Sequence, residues 1–157
     1  MIARTLRLLS GLFIFAIGAV HLQQYLGAGY SSIPTIGPLF LLNAIAAAVV
    51  AIGLFAPLEA ILDRRASHLT VALLAIAGAA IAIGSLIALF ISEGGTLFGF
   101  HESGYRSAIV LAIVAEAVSL ALTVPLAALS LKRMRSSPRP TGREPRAWGS
   151  RSWQSHS

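Results

Sequence analysis

Cysteine is absent from the chain. Structural disulfides and thiol exchange are thereby excluded, and with them a membrane thiol-disulfide oxidoreductase. Charge is scarce as well: 11% of the 157 residues are Asp, Glu, Lys or Arg, against 56% hydrophobic residues and a mean hydropathy of +0.79. A soluble core of this size needs less apolar surface than that, so the excess is expected to face lipid. No glycine-rich phosphate loop, serine nucleophile elbow or H-E-x-x-H pair occurs, and without such a constellation a non-catalytic role is the expectation.

What the chain does have is four long apolar runs, at 8–25, 38–57, 69–91 and 108–131. Each approaches the roughly 20 residues that a helix needs to cross the hydrocarbon. None contains Lys, Arg or Asp, and only the fourth contains a Glu, Glu116. The alternation of an outer-membrane strand is missing. Helices satisfy their own backbone within one segment, so the predicted fold class is all-α: a four-helix transmembrane bundle over 1–131. Pro34, Pro38 and Pro57 fall at span ends, where they do little damage. The first run is read as a retained span, because it continues to Tyr25 and lacks a good small-x-small cleavage site.

Eleven of the twelve basic residues fall before span one, between spans two and three, or after span four. Short cytoplasmic loops retain Lys and Arg. A multi-pass protein of the cell membrane with both termini cytoplasmic is therefore expected, with Arg106 alone on the external face. From Lys132 the composition shifts to Arg, Ser, Pro and Gly, and 132–157 is expected to be a disordered basic tail. That tail carries seven positive charges and Glu144, hence the whole net charge of +6. The charge thus speaks for the anionic inner leaflet as partner, with Trp148 and Trp153 at the interface, and against nucleic acid. A membrane protein partner is compatible with the same reading.

Polar side chains within spans are costly and locate a site better than composition does. His21, Gln24 and Tyr25 share one face near the outer end of span one. Asn43 lies about one turn inside span two from the same side, and the uncharged loop 27–37 between them is apolar enough to fold back onto the bundle. Glu116, nine residues past Ser107, sits roughly 13 Å down span four, with Ser119 and Thr123 continuing its stripe. Burial at that depth disfavours the charged form, so Glu116 is expected to be protonated unless it meets a cation, for which Arg106 and protonated His21 are the candidates. The predicted ligand-binding or proton-carrying pocket is His21, Gln24, Tyr25, Asn43 and Glu116, opening outward beneath a lid of His101, Glu102 and Arg106. Tyr25, Tyr30 and Tyr105 also lie where interfacial anchors accumulate.

No metal site is expected, because His21 and His101 lack ligand spacing, and no resident cofactor is called for. Glu59, Asp63, Arg64 and Arg65 read as a solvated loop with a local ion pair. Small residues at helical spacing (Ala44, Ala47, Ala48, Ala51 and Ala75, Ala79, Ala80, Gly84, Ala88) predict a compact bundle in which spans two and three are each tightly packed. A weak repeat joins Gly29-Tyr30-Ser31-Ser32 to Gly104-Tyr105-Arg106-Ser107.

The run Ala19-Val20-His21-Leu22-Gln23-Gln24-Tyr25, with 33–43 and the loop 97–102, resembles small four-helix membrane proteins of high-GC Gram-positive bacteria. That resemblance implies the topology and no activity. In length and topology the chain also resembles the DoxX-like family, some of whose members are subunits of quinone-linked oxidoreductases. It implies the alternative reading, a redox or proton-transfer subunit with quinone as cofactor, and the intramembrane titratable groups His21 and Glu116 are the proton carriers that reading would use.

Overall fold

The computed structural model describes residues 2–102 and 106–137. Tyr105, Trp148, Trp153 and His156 lie outside the described residues, as do Gly104 and most of the expected tail. The order is α1 (Ile2–Gly27), a 3-10 turn (Tyr30–Ser32), α2 (Ile36–Phe55), α3 (Leu58–Ile61), α4 (Arg64–Gly94) and α5 (Ser107–Ser136). The fold is all-helical, and α1, α2, α4 and α5 are long and apolar enough to cross a membrane. At 1.5 Å per residue even α2, the shortest of them, is about 30 Å long.

The helices α1, α4 and α5 extend past both ends of the runs that predicted them, whereas α2 keeps the predicted length and is shifted two residues toward the N-terminus. At its C-terminal end α5 carries Lys132, Arg133 and Arg135 in regular helix to Ser136 rather than yielding to irregular chain at Lys132. Basic side chains in a last helical turn suit the negative end of the dipole. Pro125 lies inside the same helix, which continues through it.

The four long helices close a ring in the order α1, α2, α4, α5, with α2 and α5 diagonal and not in contact among the described residues. The closest pairs are α1 with α2 and α4 with α5, so the two spans rich in small residues each pack tightly, on different neighbours. On α1, Gly18 admits α2 closely: an added Cβ would stand 3.0 Å from the Ala47 Cβ and 3.2 Å from the Ala44 carbonyl oxygen. Small residues on α2 thus seat against the glycine face of α1, and the α2–α4 side of the ring is looser. Ile14, Ala47, Val50, Leu54, Val71, Ala75 and Leu126 fill the half of the bundle nearest the chain's basic residues. Large apolar side chains such as Phe15, Val49, Ile52, Ile76, Phe90 and Val124 are exposed around the outside.

The basic end is more specific than a solvated loop. Arg7 is buried, and its guanidinium donates to Glu59 Oε1 at 2.7 Å and to the Ala56 carbonyl at 3.3 Å. The ion pair therefore ties α1 to α3 across 52 residues. Asp63 caps α4, accepting from the backbone N–H of Arg65 and Ala66 at 2.9 and 3.0 Å. Partial desolvation pushes the Glu59 carboxyl up, but its own backbone N–H and Arg7 outweigh it and hold the group below its usual range. A depressed carboxylate contributes stability that is present above its unfolded value and lost as pH falls through the folded one. Acidification from about pH 5 to about pH 3 is expected to cost at most about 1 kcal/mol, since Glu59 is largely exposed. Unfolding titrations of the wild type and Arg7→Leu check this, because the variant should lose the dependence.

Candidate functional site

The half of the bundle away from the basic end is hollow. A cavity of about 380 Å³ lies between α1, α2, α4 and α5 beneath the connections that follow α1 and α4. Its walls are largely apolar, contributed by Leu39, Phe40, Leu42, Ala46, Ala80, Gly84, Ala88 and Ala112, and its polar groups gather at His21, Gln24, Asn43, Ser85 and Glu116. A volume in the range of roughly 300–1,000 Å³ with few polar groups on apolar walls is the usual form of a small-molecule site.

His21 organises the polar wall. Its Nδ1 donates to the Ile17 carbonyl at 2.9 Å, one turn back on α1, which leaves Nε2 as an acceptor. Two donors face that nitrogen at 3.1 Å each: Asn43 Nδ2 from α2 and Ser85 Oγ from α4. One in-plane lone pair cannot serve both at full strength, so either donor is free to turn elsewhere. The Ser85 hydroxyl is also placed to reach Glu116. Glu116 is 1% exposed, and neither of its carboxyl oxygens completes a hydrogen bond among the described residues. Asn43 Oδ1 is buried and unpartnered in the same way. Gln24 is buried and donates to Gln23.

The cavity is roofed by Tyr30, Phe100 and Glu102. Tyr30 is buried rather than anchored at an interface, stacking on Phe40 at 4.6 Å between centroids and meeting Phe100 edge-on at 5.6 Å. Its hydroxyl donates to Glu102 Oε2 and accepts from Arg106 Nη2, which also donates to Glu102 Oε1 at 3.1 Å. Glu102 is itself buried, and its backbone N–H donates to the Ser92 carbonyl at 3.1 Å.

Two close turns hold the roof in place. Gly37 meets the 3-10 turn so closely that an added Cβ would stand 2.7 Å from the Tyr30 carbonyl oxygen. Thr35 takes φ 68°, and the Ile36 N–H closes a γ-turn on the Pro34 carbonyl at 2.8 Å.

Burial and the Glu102 carboxylate push the Tyr30 hydroxyl up to about 12. A raised acid contributes stability that is complete below its unfolded value near 10 and is lost as pH rises toward 12. An ultraviolet phenolate titration of the wild type and Tyr30→Phe is expected to assign the late-titrating tyrosine to this position.

Of the predicted pocket, His21, Gln24, Asn43 and Glu116 meet on one cavity, and Tyr25 does not. Tyr25 is half-buried and off the wall, because the inward face of α1 runs through Ile14, Ile17, Gly18, His21 and Gln24. Of the predicted lid, Glu102 borders the cavity and Arg106 braces it from outside. His101 is exposed, donates from Nδ1 to the Gly95 carbonyl at 2.7 Å, and borders a second depression on the outer side of the roof. Neither candidate cation pairs with Glu116: Arg106 serves Glu102 and Tyr30, and His21 Nε2 faces Asn43 and Ser85. Sequence reading missed Ser85 and Tyr30. Ser85 and Ser92, two turns apart on one face of an otherwise apolar run, were the available signal for the former.

Among the described residues no three His, Asp or Glu side chains come together as a metal-ligand set. The chain matches no protein-family model, no curated protein and no solved structure.

Proposed function

We propose that the chain is a multi-pass protein of the cell membrane that binds a small ligand in its outer-half cavity, as a binding protein or accessory subunit rather than an enzyme. Four long apolar helices with an apolar outer surface support insertion. Basic residues at one end of the bundle support cytoplasmic termini, with the tail held at the anionic leaflet by about 1 kcal/mol per basic residue.

The observation that carries the binding reading is Glu116: a carboxyl with two unpartnered, buried oxygens on the wall of a ready cavity. Buried polar groups are normally satisfied, and retaining one unsatisfied at mid-span is costly unless something else completes it. Mass spectrometry of small molecules co-extracted with the protein in mild detergent tests this. A defined species is expected to accompany the wild type and to be depleted about tenfold in Glu116→Gln, the loss of roughly one hydrogen bond to a charged or buried group. Bulk lipid in equal amounts with both proteins would sink the reading.

A second reading rests on a different observation. Asn43, His21 and Ser85 are linked in series across three helices, and Glu116 stands on the fourth, within reach of the Ser85 hydroxyl. Such a chain suits proton transfer beside a quinone-linked reaction. Its mark is a quinone in the extract and a pH-dependent redox activity lost in both His21→Ala and Glu116→Gln.

A further inference from the structure

The cavity is shut at the end that faces water and open on the side that faces lipid. Tyr30 and Glu102, at 4% and 8% exposure, belong both to the cavity and to the depression above it, so they form the partition between the two. The α2–α4 side of the ring is different. Leu39 and Leu42 line the cavity while 41% and 62% exposed, so the inner wall there is also the outer surface. Opposite them, a Cβ built on Gly84 would meet no atom within 4 Å, although Gly84 too lines the cavity. Ala46, Ala80 and Ala88 keep the same seam free of bulk.

The geometry points to lateral entry between α2 and α4 of an uncharged amphiphile from the outer leaflet, its hydroxyl or carbonyl head on Ser85 and Glu116 and its apolar body along Leu39, Leu42 and Gly84. The inference rests on the membrane and ligand-binding readings above and names the ligand class of that same site. An anionic head finds no Lys or Arg on the cavity wall, since Arg106 is turned to Tyr30 and Glu102. A cationic head would use acceptors alone, whereas the wall presents the donors Ser85 Oγ and Asn43 Nδ2 beside its acceptors, Glu116 and Asn43 Oδ1. A neutral hydroxyl or carbonyl uses both kinds.

The test is photolabelling of the full chain in lipid nanodiscs, mapped by peptide mass spectrometry. Three diazirine probes are compared: a long-chain alcohol, a long-chain amine and a membrane-impermeant polyol. The alcohol is expected to label the cavity segments of α2 and α4, to be competed by excess unlabelled alcohol, and to lose about tenfold labelling in Gly84→Phe. Ile83→Phe, on the outer face of the same turn and off the cavity wall, is expected to label as wild type. Ala88→Leu provides a second obstruction, and helicity and elution volume verify that both blocked variants fold.

Undiminished alcohol labelling in both folded variants would overturn lateral entry, as would preferential cavity labelling by the polyol, while ligand binding itself would stand. Preference for the amine would overturn the ligand class. If no probe gave competable labelling in the cavity, the binding reading would fail and this inference with it.

Discussion

Gly18→Leu is expected to push α1 off α2 and to lower stability by about 3 kcal/mol, the upper end for overpacking a tight contact. The neighbours that an added side chain would meet are the Ala47 Cβ and the Ala44 carbonyl, one short and one backbone, so neither can swing aside. Because Ala47, Val50 and Leu54 pack with Ile14 in one core, displacing α2 also loosens the floor beneath the cavity. Denaturant or detergent titration followed by helicity checks this. Gly84→Leu is the comparison: it places the same side chain where no atom lies within 4 Å, and its folding midpoint is expected to stay close to wild type. Equal losses at the two glycines would mean that glycine itself, and not the α1–α2 contact, sets the cost.

Glu116→Leu is expected to move stability and binding in opposite directions. The carboxyl is buried and its oxygens complete no hydrogen bond among the described residues, so within the protein itself it is an unsatisfied polar group. Replacing it with an apolar side chain of comparable size removes a penalty of about 1–3 kcal/mol. The variant is therefore expected to unfold later than the wild type while retaining no co-extracted ligand. That opposition is the signature of a residue kept for function at a cost in stability. A structural Glu116 would behave the other way: its loss would destabilise the bundle and leave the extract unchanged.

These two expectations draw on different layers of information. That the apolar runs 38–57 and 69–91 give long helices was readable from the chain, because backbone satisfaction and side-chain hydropathy are properties of one segment at a time. The inward register of His21, Gln24, Asn43 and Glu116 was readable too, since a costly polar group in an apolar helix turns from the surface. Tyr25 failed the same logic. Both i+3 and i+4 neighbours of His21 lie near its face, and only the packing of α1 decided that Gln24 is inside and Tyr25 at the edge. Arg7 and Glu59 lay 52 residues apart, each reading locally as a surface charge.

Helix partners were out of reach for a related reason. Ala44, Ala47 and Ala75 announce that a neighbour can come close, and small side chains have no chemistry that says which neighbour it is. Gly18 settled that choice by steric fit. Electrostatic partners were likewise ambiguous, because Arg106 could have served either Glu116 or Glu102. The fold gave it to Glu102 and Tyr30, four residues and one connection away, and so left Glu116 open to the cavity. The sequence by itself determined four apolar helices and the depth of their polar groups, since both follow from local desolvation. Only the tertiary structure decided that those groups surround one cavity, roofed by Tyr30 and open between α2 and α4, because that depends on which surfaces fit.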